Sequence, residues 1–149
     1  MMSLISRLLT PTKVARAHCD GPCGVYDPAS ARIAAEAVLS MAKKLVALGD
    51  GAGLATENTR SRFIAIKEQQ ADLVKRELDI LWHDYFKPEH TAKYPDLHDT
   101  FWQAAKLASK NKTECDPANG EALLATIEKI HNVFWASKNR TDVAFYRAG

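Results

Sequence analysis

The chain has 149 residues and a mass of 16.5 kDa, 46% hydrophobic and 26% charged, the size and balance of one soluble globular domain. That excludes a fibrous or wholly unfolded protein, and no apolar run approaches the roughly 18–20 residues that span a bilayer. The net charge of +2 is too weak for a dedicated nucleic-acid binder, and three cysteines are too few, and odd in number, for a disulfide scaffold.

The first 17 residues, MMSLISRLLTPTKVARA, stand apart. They hold Arg7, Lys13 and Arg16 and no acid; beyond them 17 basic residues face 18 acidic ones, so the remainder carries −1. Ala15-Arg16-Ala17 has the small-x-small form of a signal cleavage site. Arg7, however, interrupts the apolar stretch, and a secretory signal needs about 7–15 uninterrupted apolar residues. An unstructured leader, or a pro-segment removed for a chemical reason, are the alternatives.

Residues 18–26, His-Cys-Asp-Gly-Pro-Cys-Gly-Val-Tyr, form a turned loop, because two glycines and a proline forbid a helix. Asp27 as N-cap and Pro28 as first residue open a helix with Ala34, Val38, Met41, Leu45 and Leu48 as its apolar stripe. The glycines at 49, 51 and 53 end it. A second helix is expected from about Asn58 or Thr59 to His83, burying Phe63, Ile66, Leu73, Ile80 and Leu81, with Gln70 a polar exception. Lys87-Pro88 and Tyr94-Pro95 bound an irregular connection. Asp96 caps a third helix on Leu97, Phe101, Ala104 and Ala108, which the polar run Lys110 to Glu114 interrupts. Asp116-Pro117 opens a fourth on Leu123, Ile127, Ile130 and Phe134. Residues 139–149 read as a frayed tail. Four amphipathic helices with short connections imply an all-α, antiparallel up-down four-helix bundle, residues 27–138.

The chemistry concentrates at His18-Cys19-x-x-x-Cys23: two thiols and an imidazole within six residues make a soft-metal site. The spacing is not that of a zinc C-x-x-C knuckle or a strand-to-helix redox dithiol, and two incidental cysteines remain an alternative. Cleavage after Ala17 would make His18 the N-terminus, with an α-amine of pKa near 8 able to ligate. Amine, deprotonated amide and two thiolates then make an N2S2 square, suited to Ni(II) or Cu(II).

The run His18-Cys19-Asp20-Gly21-Pro22-Cys23-Gly24-Val25-Tyr26-Asp27-Pro28-Ala29 resembles the nickel hook of the nickel-containing superoxide dismutases. Ile66-Lys67-Glu68-Gln69, Leu81-Trp82-His83-Asp84-Tyr85-Phe86-Lys87-Pro88 and Tyr94-Pro95-Asp96-Leu97-His98 continue the likeness in order, over most of residues 18–136. The resemblance implies a pro-segment, residues 1–17, cut after Ala17 by a processing peptidase; a hook, residues 18–26; one nickel per chain; and a homohexamer of bundles. It implies that His18 gives its amine and, in the oxidised state, its imidazole; Cys19 its amide nitrogen and thiolate; Cys23 the second thiolate. Pro22 matches a cis-proline that bends the hook, and Tyr26 matches a tyrosine over the open metal face, completing the catalytic set His18, Cys19, Cys23 and Tyr26.

The likeness has departures. Gly21 stands where some relatives carry Leu. Ala34 and Gln70 stand where some place a Glu and an Arg that support the hook histidine, so His18 needs another partner.

The implied reaction takes two superoxide anions and two protons to O2 and H2O2 while nickel cycles between Ni(II) and Ni(III), thiolates and amide bringing that couple into range. Protons arrive through water near Tyr26 and the amides of Asp20 and Cys23. Because the chain beyond residue 17 is near neutral, anion capture falls to a local lysine, Lys87. Tyr85 and Trp82 are expected behind the hook in the assembled particle. His83, His90 and His98, spaced by seven and eight, are set aside as a second metal site. His131 is assigned to a bundle face and Cys115 to a free thiol. Trp82, Trp102 and Trp135 are assigned to core or subunit contacts. Reduced thiols and the poor signal peptide favour the cytoplasm. The rival readings are a nickel or copper carrier or sensor that uses the hook without turnover, and a purely structural bundle.

Overall fold

The computed structural model describes residues 24–148. Asp27 Oδ1 accepts from the Ala29 N–H at 2.8 Å, and α1 runs Ala29–Leu48. The helix starts one residue later than expected: Pro28 takes the N-cap position, and Asp27, just before it, still bonds the first helical N–H. The Arg60 guanidinium donates to Gly49 O and Gly51 O, tying down the carbonyls behind α1. The next helix, α2, spans Leu54–Ile80 and starts earlier than Asn58 or Thr59 would suggest. Thr59 is no cap: its hydroxyl bonds back to Ala55 O inside the helix, an option open to Ser and Thr.

At Leu81–Tyr85 the helix widens into a π-turn, closed by Phe86 N–H to Leu81 O at 3.0 Å. Pro88 then opens a short helix, α3, Pro88–Lys93, where an irregular connection was expected; proline suits a first helical position. The long helices α4, Leu97–Thr113, and α5, Pro117–Ser137, complete the bundle. The Asp116 carboxylate accepts from Ala118 N–H at 2.9 Å, as its cap-then-proline pattern implied. Helix α4 persists through the polar run because Asn111 is buried there, its amide donating to Leu107 O and Asn119 O.

α1 packs on α2 and α5, and α4 packs on α5 and α2. The short loops α1–α2 and α4–α5 make the neighbours antiparallel. The architecture is the expected all-α four-helix bundle, with no strand among the described residues. Alanines at 31, 34, 35, 42, 71, 104 and 108 line the inner faces beside Val38, Leu78, Phe101, Leu123, Ile127, Ile130 and Phe134. Small residues let the axes approach. A Cβ on Gly120 of α5 would lie 2.9 Å from Leu39 Cδ1 and 3.1 Å from Leu39 Cα of α1, so any side chain there would push Leu39 and α1 outward.

The inner row of α2 differs from the one periodicity suggests. Lys67, Ala71, Val74 and Leu78 are buried, while Ile66 and Leu73 are each 36% exposed. The two rows lie one residue apart, and the inward one contains a lysine whose charge is satisfied: Lys67 Nζ donates to the carbonyls of Asn111, Lys112 and Glu114. Leu81 is buried as expected.

The C-terminal residues carry no helix after Ser137, yet they are docked rather than frayed. His131 Nε2 donates to Val143 O at 3.0 Å, and Phe145 lies edge-on to the His131 ring. Arg147 reaches Glu121 at 3.1 Å, and Ala148 N–H reaches Glu36 at 3.0 Å. No helix among the described residues is long and apolar enough to cross a membrane.

Candidate metal centre

The chain enters the described region at Gly24, whose φ of +67° lies in the left-handed region that a side chain disfavours. Two residues on, the half-buried Tyr26 ring sits 5.6 Å from the Tyr85 ring, tilted by 52°. Tyr85 reaches this position because it closes the π-turn. Such a turn inserts one extra residue and re-aims the side chains that follow.

Tyr85 is fixed from several sides. Its ring packs on Phe134 at 4.6 Å, edge-on to Phe86 at 5.0 Å, and stacks on His90 at 5.6 Å and 12°. Its hydroxyl lies 2.6 Å from Ser137 Oγ. His90 is set in turn by the Lys87 backbone N–H, which donates to its Nδ1 at 3.0 Å; the imidazole proton therefore sits on Nε2. The Lys138 ammonium lies 5.2 Å from the Tyr85 ring centroid and 4.9 Å from that of Phe134, within cation–π range.

Gly24, Tyr26, Asp84, Tyr85, Lys87, Glu89 and His90 line one cavity of about 460 Å³. A larger groove, about 570 Å³, lies between α1, α5 and the docked tail, but chemistry does not point there. Leu39 and Leu124 are in its wall, and Glu36, Lys43, Glu121 and Arg147 are paired with opposite charges. Glu121 meets Lys43 and Arg147; the hydrogen bond from Lys43, then the attraction of Lys43 and Arg147, hold its carboxyl below the usual glutamate value against desolvation.

Of the expected site residues, Tyr26, Tyr85 and Lys87 come together around the smaller cavity. His18, Cys19, Asp20, Pro22 and Cys23 lie outside the described residues, as does Gly21. Trp82 does not line this cavity within the single chain. It packs on Phe101 at 5.1 Å and His98 at 5.3 Å, because the π-turn directs it toward α4. Ala34 is buried at 1% exposure, so α1 has no polar group at that position for an imidazole. Cys115 is a free, exposed thiol, and His131 lies on a bundle face as read.

Sequence reasoning missed His90, Asp84, Glu89, Ser137 and Lys138. From sequence alone His90 is set aside as a metal ligand, and its place three residues past Lys87 becomes meaningful once Pro88 is seen to open a helix. The acids matter: Asp84 and Glu89 share the cavity with Lys87, so its field is mixed rather than uniformly attractive to anions.

Among the described residues no three His, Cys, Asp or Glu side chains come together as a metal site. The donors expected from the sequence, within residues 18–23, lie outside the described residues, next in the chain to Gly24. Two thiols, an imidazole and, after processing, an amine are a donor set that fits nickel. Among the described residues, fold and cavity together define a four-helix bundle with an aromatic, lysine-flanked pocket bordered by Gly24.

The family model for nickel-containing superoxide dismutase matches residues 13–138. The chain is 45% identical over 135 residues to the superoxide dismutase [Ni] of Streptomyces seoulensis, covering 91% of this chain and 98% of that one. It is 44% identical, with the same coverage, to its counterpart from Streptomyces coelicolor. The solved native nickel superoxide dismutase superposes with a TM-score of 0.75 at 43% identity, over 83% of this chain and all of that one. A structure with nickel ligation of the oxidised state gives 0.74 at 46% identity, over the same shares. The chain belongs to the nickel-containing superoxide dismutase family, which favours the enzyme over a carrier or sensor without turnover.

Proposed function

We propose that residues 18–26 of this superoxide dismutase hold its nickel, one ion per chain, and that the Tyr26–Tyr85–Lys87 cavity is where superoxide arrives. In this reading residues 1–17 are a pro-segment, 27–138 the bundle and 139–149 the tail. The observation that carries it is positional: the His18-Cys19-x-x-x-Cys23 donors run into Gly24, and Gly24 borders the cavity.

The His18 amine and imidazole, the Cys19 amide and thiolate and the Cys23 thiolate are the ligands. Pro22 bends the segment. Bound there, nickel supplies the one-electron couple that oxidises one superoxide and reduces the next. The protein does the rest. Tyr26 and Tyr85 wall the pocket and order water in it, and that water, with the amides of Asp20 and Cys23, supplies the two protons that H2O2 requires. Lys87, together with Lys138 at the Tyr85 ring, offsets Asp84 and Glu89 and draws the anion in. His18 finds its partner in a backbone carbonyl or water, since Ala34 offers none.

The same reading places a processing peptidase at Ala17, a homohexamer as the working assembly and the cytoplasm as the compartment.

An intact mass and elemental analysis of protein from the native host test the reading. A chain beginning at His18 with about one nickel supports it. Active, nickel-loaded protein that retains Met1 overturns it.

A further inference from the structure

The Tyr85 hydroxyl has one proton, and its neighbours decide where that proton points. Ser137 Oγ lies 2.6 Å from Phe134 O as well as 2.6 Å from Tyr85 Oη. A carbonyl oxygen can only accept, so the Ser137 proton goes to Phe134 O. The arrangement is not interchangeable, because Phe134 O lies in the last turn of α5 and needs a donor. The N–H four residues on, that of Lys138, goes instead to Trp135 O at 3.0 Å. With its own proton committed, Ser137 Oγ can only accept from Tyr85.

We infer that Ser137 is a positioning residue that turns the Tyr85 O–H inward, leaving the phenol oxygen only lone pairs for its other neighbours. This rests on the reading that places Tyr85 at the metal centre. Tyr85 is then a hydrogen-bond acceptor for water in the pocket and does not donate to an incoming anion. The two protons of H2O2 come from water that Tyr85 orients, while its own proton stays on the phenol oxygen, donated to Ser137 Oγ.

The hold also ties the π-turn to the C-terminus of α5, joining two elements that are far apart in sequence. His90 stacking and the Phe134 contact restrain the ring but cannot orient the hydroxyl. Ser137 alone, among the described residues in contact with Tyr85, offers an oxygen at hydrogen-bond distance.

The first arm uses proton NMR of the full chain. Wild type should show a slowly exchanging Tyr85 hydroxyl proton with a cross-peak to Ser137. Ser137→Ala should lose it and Ser137→Thr, which keeps the acceptor, should retain it. A hydroxyl proton equally protected in Ser137→Ala overturns the inference. The second arm uses processed, nickel-loaded enzyme. Ser137→Ala should change the solvent-deuterium effect on turnover and shift the pH profile, with azide, a small anion probe, inhibiting about tenfold more tightly through the freed O–H donor. Ser137→Thr should restore wild-type behaviour in all three. An unchanged pH profile and azide inhibition in folded Ser137→Ala overturns the inference. Failure of the underlying reading looks different: Tyr85→Phe would then leave turnover intact while the wild-type hydroxyl signal still reports the Ser137 bond.

Discussion

Replacing Lys67 by Met tests how α4 is terminated. Lys67 is 1% exposed, and its ammonium donates to Asn111 O, to Lys112 O at 3.0 Å and to Glu114 O at 2.8 Å. Three N–H groups meet three acceptors, at the helix end where carbonyls lack partners and the dipole favours a cation. Methionine keeps the apolar stem and deletes the charge. Hydrogen bonds to a charged group contribute about 1.5–3 kcal/mol each, and relief from burying an ammonium returns several kcal/mol. The carbonyls of Lys112 and Glu114 sit near solvent and recover water, whereas that of Asn111 does not. The net loss is about 3 kcal/mol, or about 6–12 °C in Tm for a chain of this size. Urea melts of the full chain followed by far-UV circular dichroism measure it. Asp72→Asn, which breaks only the exposed pair with Lys112 at 2.8 Å, is the control and should cost far less. A Lys67→Met melt within about 1 kcal/mol of wild type, or no worse than Asp72→Asn, refutes the reasoning.

Two further outcomes follow from surface charge. Removing Lys87 or Lys138 should lower kcat/KM about two- to fivefold at low salt, with the gap closing above about 0.5 M as screening takes over; rates unchanged across salt would remove the capture role. Glu121→Gln should destabilise by about 0.2–0.5 kcal/mol at neutral pH, a small value because the side chain is nearly half exposed. The carboxyl of Glu121 is held low, chiefly by the Lys43 hydrogen bond. Its contribution is therefore full above the unfolded glutamate value, about 4.3, and fades as pH falls through the lower folded value. Urea melts in acid should show the gap closing; a gap that widens there contradicts the assignment.

Much of the bundle is legible from local signals. The caps Asp27 and Asp116 act through side-chain bonds to their own helices, and the stripes of α1, α4 and α5 face the core. The hook likeness rests on contiguous residues. What escapes is set by distant partners. Lys67 looks solvated until the end of α4 supplies its carbonyls, and that one exchange moves the α2 face by a residue. Ser137 has no signature because its meaning lies in Tyr85, on another helix. The docked tail depends on His131, Glu121 and Glu36, which no local pattern links to residues 143–148. The π-turn is invisible to periodicity because α-helical spacing assumes regular winding.

That turn also describes a trade. Deleting one residue between Leu81 and Tyr85 would let α2 continue with ordinary winding, a relaxation that should favour the fold. It would also swing everything downstream by about 100°, carrying the Tyr85 ring off Ser137 and away from Tyr26. The bundle keeps an awkward coil in its longest rod, and the aromatic wall is what that awkwardness secures.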